Sequence, residues 1–145
     1  MIFNEELDRL ATLNWRFARK YLWLCQEFQS QVTLVPADED GDLIVAGEPK
    51  SSESPYDFVR RQLVQHQAQA FVVVGEAWHV LGESLMLVAL GHDYTLQRTV
   101  NFERRNGRVT FAPEEDCKVG SVKSRFLDLR ELLVWPLQKT RMQNG

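Results

Sequence analysis

Glu76 is the residue in this chain whose surroundings most invite chemistry. It is the one carboxylate in the apolar run Phe71 to Val80, FVVVGEAWHV. In a strand, side chains alternate between faces, so Glu76 shares its face with Val74 and Trp78. An unpaired carboxylate there would be costly. Turn signals at Gly82-Glu83, His92-Asp93 and Asn106-Gly107 set a register that places Glu76 opposite Ala89 and Arg98 within diagonal reach. Glu76 and Arg98 would then form an ion pair or line a pocket walled by Trp78, with His79 nearby. A pocket so equipped would suit a small ligand or lyase- and isomerase-like proton transfer.

Other constellations carry less. His66, His79 and His92 do not converge in this register, and no HExxH or CxxC spacing occurs, so neither a metal nor another cofactor is expected. Gly82-Glu83-Ser84-Leu85-Met86 lacks the second glycine of a nucleophile elbow. Asp38, Asp40 and Asp42 alternate as in a calcium loop, yet Leu43 and Pro49 stand where that loop needs Gly and Glu. Arg104, Arg105 and Arg108 surround the Asn106-Gly107 turn and form a candidate anion-binding tip. Without interleaved exposed aromatics, nucleic acid is not the favoured partner.

These residues need a scaffold. The chain has 145 residues, 44% of them hydrophobic and 26% charged, which suits one soluble α+β domain spanning 1–145. A first helix is expected from Asn4, as N-cap, to about Ser30. Leu7, Leu10, Asn14, Phe17, Tyr21, Leu24 and Phe28 would form its buried stripe, widened by Ala11, Ala18 and a buried Cys25. Trp15, Leu22 and Trp23 fall away from that stripe and form a candidate interface with a second copy. VTLV and LIVA around an acidic turn read as a short hairpin. Ser54-Pro55 caps a second helix to about Gln69. Residues 70–113 read as a four-stranded antiparallel meander with both faces of its first hairpin apolar, so helices should cover it on both sides. Ser124 to Trp135 reads as a final helix, and the tail from about residue 137 as frayed.

Charge is uneven. Residues 1–97 hold 7 Lys and Arg against 14 Asp and Glu, while residues 98–145 hold 10 against 6. Such asymmetry fits head-to-tail association or an anionic partner. The N-terminus shows no leader, no run spans a bilayer, and the two cysteines lie far apart, which together suggest a reducing cytosol. The element order is similar in outline to cystatin-like and NTF2-like rolls, a likeness of order alone. The expected function is a non-enzymatic binding or assembly protein that self-associates as a homodimer. A small-molecule or lyase/isomerase-like pocket is the first alternative and an anionic partner at the basic turn the second.

Overall fold

The computed structural model describes residues 1–79, 82–122 and 124–136, with the backbone alone of Trp78 and His79. Helix α1 covers Asn4–Cys25, strand β1 Gln31–Pro36, β2 Ile44–Ala46 and helix α2 Pro55–Gln65. Strands β3 (Ala68–His79), β4 (Gly82–Leu90), β5 (Thr95–Arg105), β6 (Arg108–Phe111) and β7 (Lys118–Gly120) follow, and a 3-10 helix spans Arg125–Leu132. All strands join one open antiparallel sheet in the order β2-β1-β3-β4-β5-β6, with β7 also paired to β5. The fold is α+β, and the expected meander forms. It grows to seven strands because β1 pairs with β3 as well as with β2, and β7 pairs with β5.

The sheet is the middle of three layers. On one face α1 packs Leu7, Ala11, Trp15, Ala18 and Leu22 onto Val72, Val74, Leu85, Leu87, Val100 and Phe102. On the other, α2 and the 3-10 helix pack Phe58, Val59, Leu63, Phe126 and Leu129 onto Val32, Leu34, Phe71, Val73, Val88 and Leu90. The central strands are therefore apolar on both faces, as expected of a sheet covered twice.

The turns were read unevenly. The β4–β5 and β5–β6 registers, Leu90 opposite Thr95 and Arg105 opposite Arg108, match the turn chemistry. Asn106 and Gly107 both take positive φ, 52° and 72°, as a type I′ turn requires. The β3–β4 pairing differs from expectation. Gly82 lies opposite His79 inside the ladder, and Glu76 lies opposite Leu85 rather than Ala89. The slip is an even number of residues, so every side chain keeps its expected face while its neighbours change.

Helix boundaries also shift. α1 starts at Asn4 after Phe3, and no side chain caps it. It ends at Cys25, because Gln26 adopts a left-handed φ of 64° and returns its N–H to the Leu22 carbonyl. α2 starts as expected, with the Ser54 hydroxyl accepting from the Asp57 N–H. It stops at Gln65, because β3 claims residues from Ala68 and buries Gln69. The last helical segment is 3-10 and ends at Leu132, short of Trp135. The expectation for the tail from residue 137 lies outside the described residues.

Candidate functional site

Glu76 shares the face of Val74, as expected, and that face is the one α1 covers, but its partner is Arg104. One carboxylate oxygen accepts from the Arg104 guanidinium at 2.5 Å and the other accepts from the Phe28 backbone N–H at 2.8 Å. Arg104 also meets Glu83 and donates from Nε to the Gln26 carbonyl at 3.0 Å. The five groups form a clasp that fastens the end of α1 and the following connection to β3, β4 and β5. Both Glu76 oxygens are occupied by donors, so the carboxylate is a structural tie and not a free base. The register slip explains the change of partner. The β5 residue in line with Glu76 becomes Val100 instead of Leu96, which brings Arg104 from eight residues away to four. Arg98, opposite Leu87 and Val119, stays two residues away on the other side and makes no bond to Glu76. Its Nε is buried without a hydrogen-bond partner among the described residues. The side chains of Trp78 and His79 lie outside the described residues. The expected Glu76–Arg98 pocket is not assembled.

The basic turn does not converge either. Arg104 is committed to two carboxylates on the α1 side, and Arg105 pairs with Glu103 at 3.0 Å. Arg108 is exposed directly opposite Arg105. The clasp leaves one member of the expected anion-binding trio neutralised and the other two on an open hairpin.

Of the candidate interface residues, Trp15 and Leu22 are buried in the protein's own core, at 3% and 0% exposure. Only Trp23 is exposed. The reason lies in the small residues Ala11 and Ala18, both wholly buried, which let α1 settle closely on the sheet with Trp15 and Leu22 between them. Cys25, expected inside, is exposed as a free thiol. The half-buried Cys117 is free as well, its thiol pKa pushed up by burial and then by Glu114.

Much of the stripe expected inside is consequently outside. Phe17, Tyr21 and Leu24 of that stripe, and Leu13 beside it, are each 45–57% exposed. Phe17 and Tyr21 stack at a tilt with centroids 5.8 Å apart, and both meet the edge of the buried Phe28. Asn14 holds this flank against β1, accepting from the Thr33 hydroxyl at 3.3 Å. Val45, directly opposite Thr33 and so on the same sheet face, continues the apolar surface onto β2 at 59% exposure. Leu13 to Leu24 alone spans about 16 Å of helix. Leu7, Ala11, Ala18 and Phe28 are buried as expected, while Phe17, Tyr21 and Leu24 have exchanged places with Trp15 and Leu22.

No family model, curated protein or solved structure matches this chain.

One concave site lies on the opposite face of the sheet. A cavity of about 340 Å³ is floored by Val73, Gly75, Met86 and Val88 and walled by Pro55 and Phe126. Ser30 closes one end, resting over Gly75 so closely that a Cβ there would sit 2.3 Å from the Ser30 hydroxyl. Outside this cavity Arg125 lies 4.0 Å over the Tyr56 ring, which in turn packs against Phe126. The lining is largely apolar, and the Glu76 carboxylate turns away from it toward Arg104 and the Phe28 N–H on the α1 side. Such a site can hold a small apolar molecule.

At the far end of the sheet the chain's last described residues are tied down. His92 stacks flat on Trp135 at 3.8 Å and donates from Nε2 to the Val134 carbonyl at 3.2 Å. Arg130 donates to the Gly91 and Tyr94 carbonyls, which fastens the β4–β5 turn beneath it. Tyr94 donates to Asp8 at 2.7 Å, so this end also grips the start of α1; burial, then the Asp8 carboxylate, push the Tyr94 pKa up. Among the described residues, no helix is long and apolar enough to cross a membrane.

Proposed function

We propose that this is a non-enzymatic assembly protein of the reducing cytosol that associates with itself through the outer face of α1. The observation that carries the reading is the row Leu13, Phe17, Tyr21 and Leu24 left in water on a helix whose other side is already fully packed. Contiguous apolar surface of this kind on a folded domain marks a contact site. The free thiols, one of them exposed, suit a reducing compartment. Sedimentation velocity at tens of micromolar protein tests the reading. A dimer or larger species that Phe17→Glu converts to a folded monomer supports it. A wild-type monomer at that concentration rejects it.

A second reading, a small-ligand protein, is favoured by the cavity beneath Phe126. Its volume falls at the lower end of the range for ligand sites, and the Ser30 hydroxyl at its end has no protein partner among the described residues. Titration calorimetry with indole and benzyl alcohol as probes tests it. Binding that Val88→Trp abolishes would support a ligand role, and heatless titrations would remove it.

A further inference from the structure

We infer that the partner on the outer face of α1 is a second copy of the same helix running antiparallel, with Glu6 of each copy beside Lys20 of the other. This deepens the self-assembly reading and rests on it. The residues exposed on α1 are spaced for helix pairing. Leu10, Phe17 and Leu24 recur every seven residues, and so do Glu6, Leu13 and Lys20, the two rows offset by steps of four and three. That is the seam of a two-stranded helical pair. It lies on the side of the helix away from Ala11, Trp15, Ala18 and Leu22, which hold the sheet. Leu13, Phe17 and Leu24 are more than half exposed, and Leu10 is half-buried.

Charge decides the direction. The two polar seam positions, Glu6 and Lys20, have opposite signs and stand near opposite ends of the helix. A parallel pair would put Glu6 against Glu6 and Lys20 against Lys20, leaving two like-charge contacts on the seam. An antiparallel pair centred between Leu13 and Phe17 packs Leu13 of one copy on Phe17 of the other. It sets Glu6 level with Leu24 of the second copy, one turn from that copy's Lys20. Glu5 and Glu6 at the start of α1 then meet the end that carries Lys20. One cost remains, since the two Arg16 side chains approach each other across the rim, where solvent screens them.

The experiment is disulfide trapping in a Cys25→Ser chain, read on non-reducing gels beside sedimentation. Antiparallel packing holds the two Leu24 Cα atoms about 27 Å apart along the axis, whereas a parallel pair sets them about 8–10 Å apart. The expected result is a cross-linked dimer when Glu6→Cys and Leu24→Cys chains are mixed, with Leu24→Cys alone no better than the Cys25→Ser control. Cross-linking of Leu24→Cys to itself, at or above the mixed level, overturns the direction while leaving self-assembly intact. A sedimenting dimer that cross-links in neither combination moves the contact to another face and overturns both. A monomer throughout rejects self-assembly itself. Because cysteines on the seam could weaken packing, a second arm exchanges the charges. Glu6→Lys should raise the dimer Kd about tenfold, and adding Lys20→Glu should restore it. Equal Kd values for all three chains would overturn the ion-paired seam.

Discussion

The two long sides of α1 carry similar side chains and do opposite things. The inner side buries Leu7, Ala11, Trp15, Ala18 and Leu22 at 3% exposure or less, and the outer side leaves Leu13, Phe17 and Leu24 above half exposed. Hydrophobicity does not separate them, because both rows contain leucine and a large aromatic ring. What separates them is the size of the residues in between. Ala11 and Ala18 let a helix approach a sheet, and Trp15 and Leu22 then fill the space on either side. The outer row has no such small spacers, and on the proposed reading it meets another helix.

Substitutions on the two sides should therefore diverge. The largest effect is expected for Trp15→Ala, a loss of about 3–5 kcal/mol of folding stability by urea titration. Leu22→Ala should cost about 2–5 kcal/mol. Phe17→Ala should change monomer stability by about 0.5 kcal/mol or less while weakening self-association. If Phe17→Ala destabilises the monomer as much as Trp15→Ala, the two sides are not distinct. Next comes the clasp at the end of the helix. Arg104→Ala leaves Glu76 and Glu83 without their cation and should cost about 1–3 kcal/mol, with faster amide exchange at Phe28. Gly75→Ala forces a methyl group into Ser30, whose Cα would lie only 3.2 Å away. A loss of about 1–3 kcal/mol is expected, and it should also disturb probe binding in the cavity.

The smallest effect concerns Glu53, which pairs with Arg61 through two bonds of 2.8 and 2.9 Å and accepts from the Lys50 N–H. Arg61, then that backbone bond, hold its pKa down from 4.5 to about 2. Folding lowers this pKa, so the stabilisation is complete above the ordinary carboxylate range and is lost as pH falls toward 2. Acid titration of stability should be shallower in Glu53→Gln, and an unchanged profile would discount the pair. This site lies on the far side of the sheet from α1, so the variant should leave self-association unaltered.

How much the sequence disclosed follows the same division. The alternation of the β strands fixed both sheet faces, because a period of two survives an even slip in register. It did not fix neighbours, and Glu76 went to Arg104 for that reason. Gly82 looked like a turn glycine, but its positive φ of 126° belongs to a ladder residue opposite His79. On α1 the periodicity was ambiguous, since Leu7, Leu10, Phe17 and Leu24 made as good a stripe as Leu7, Trp15 and Leu22. Only the position of the sheet chose between them. Nothing local marked the cavity, which depends on Ser30, Gly75, Met86 and Phe126 meeting from four distant segments. The clasp was half legible. A carboxylate on an apolar face demanded a partner, and the chain held more than one arginine able to answer.

The clasp also sets an order of events. Gln26 and Arg104 are 78 residues apart, and Asp8 and Tyr94 are 86 apart. On a ribosome adding about 5–20 residues per second, α1 is complete several seconds before the strands that receive it exist. Throughout that interval Trp15 and Leu22 have no sheet to cover them, and both sides of the helix are open together. This helix is made early and is among the last elements secured, and a newly made chain presents apolar helix surface that the finished fold withdraws. Neighbouring chains on one message would meet in that state, before the inner side has been withdrawn.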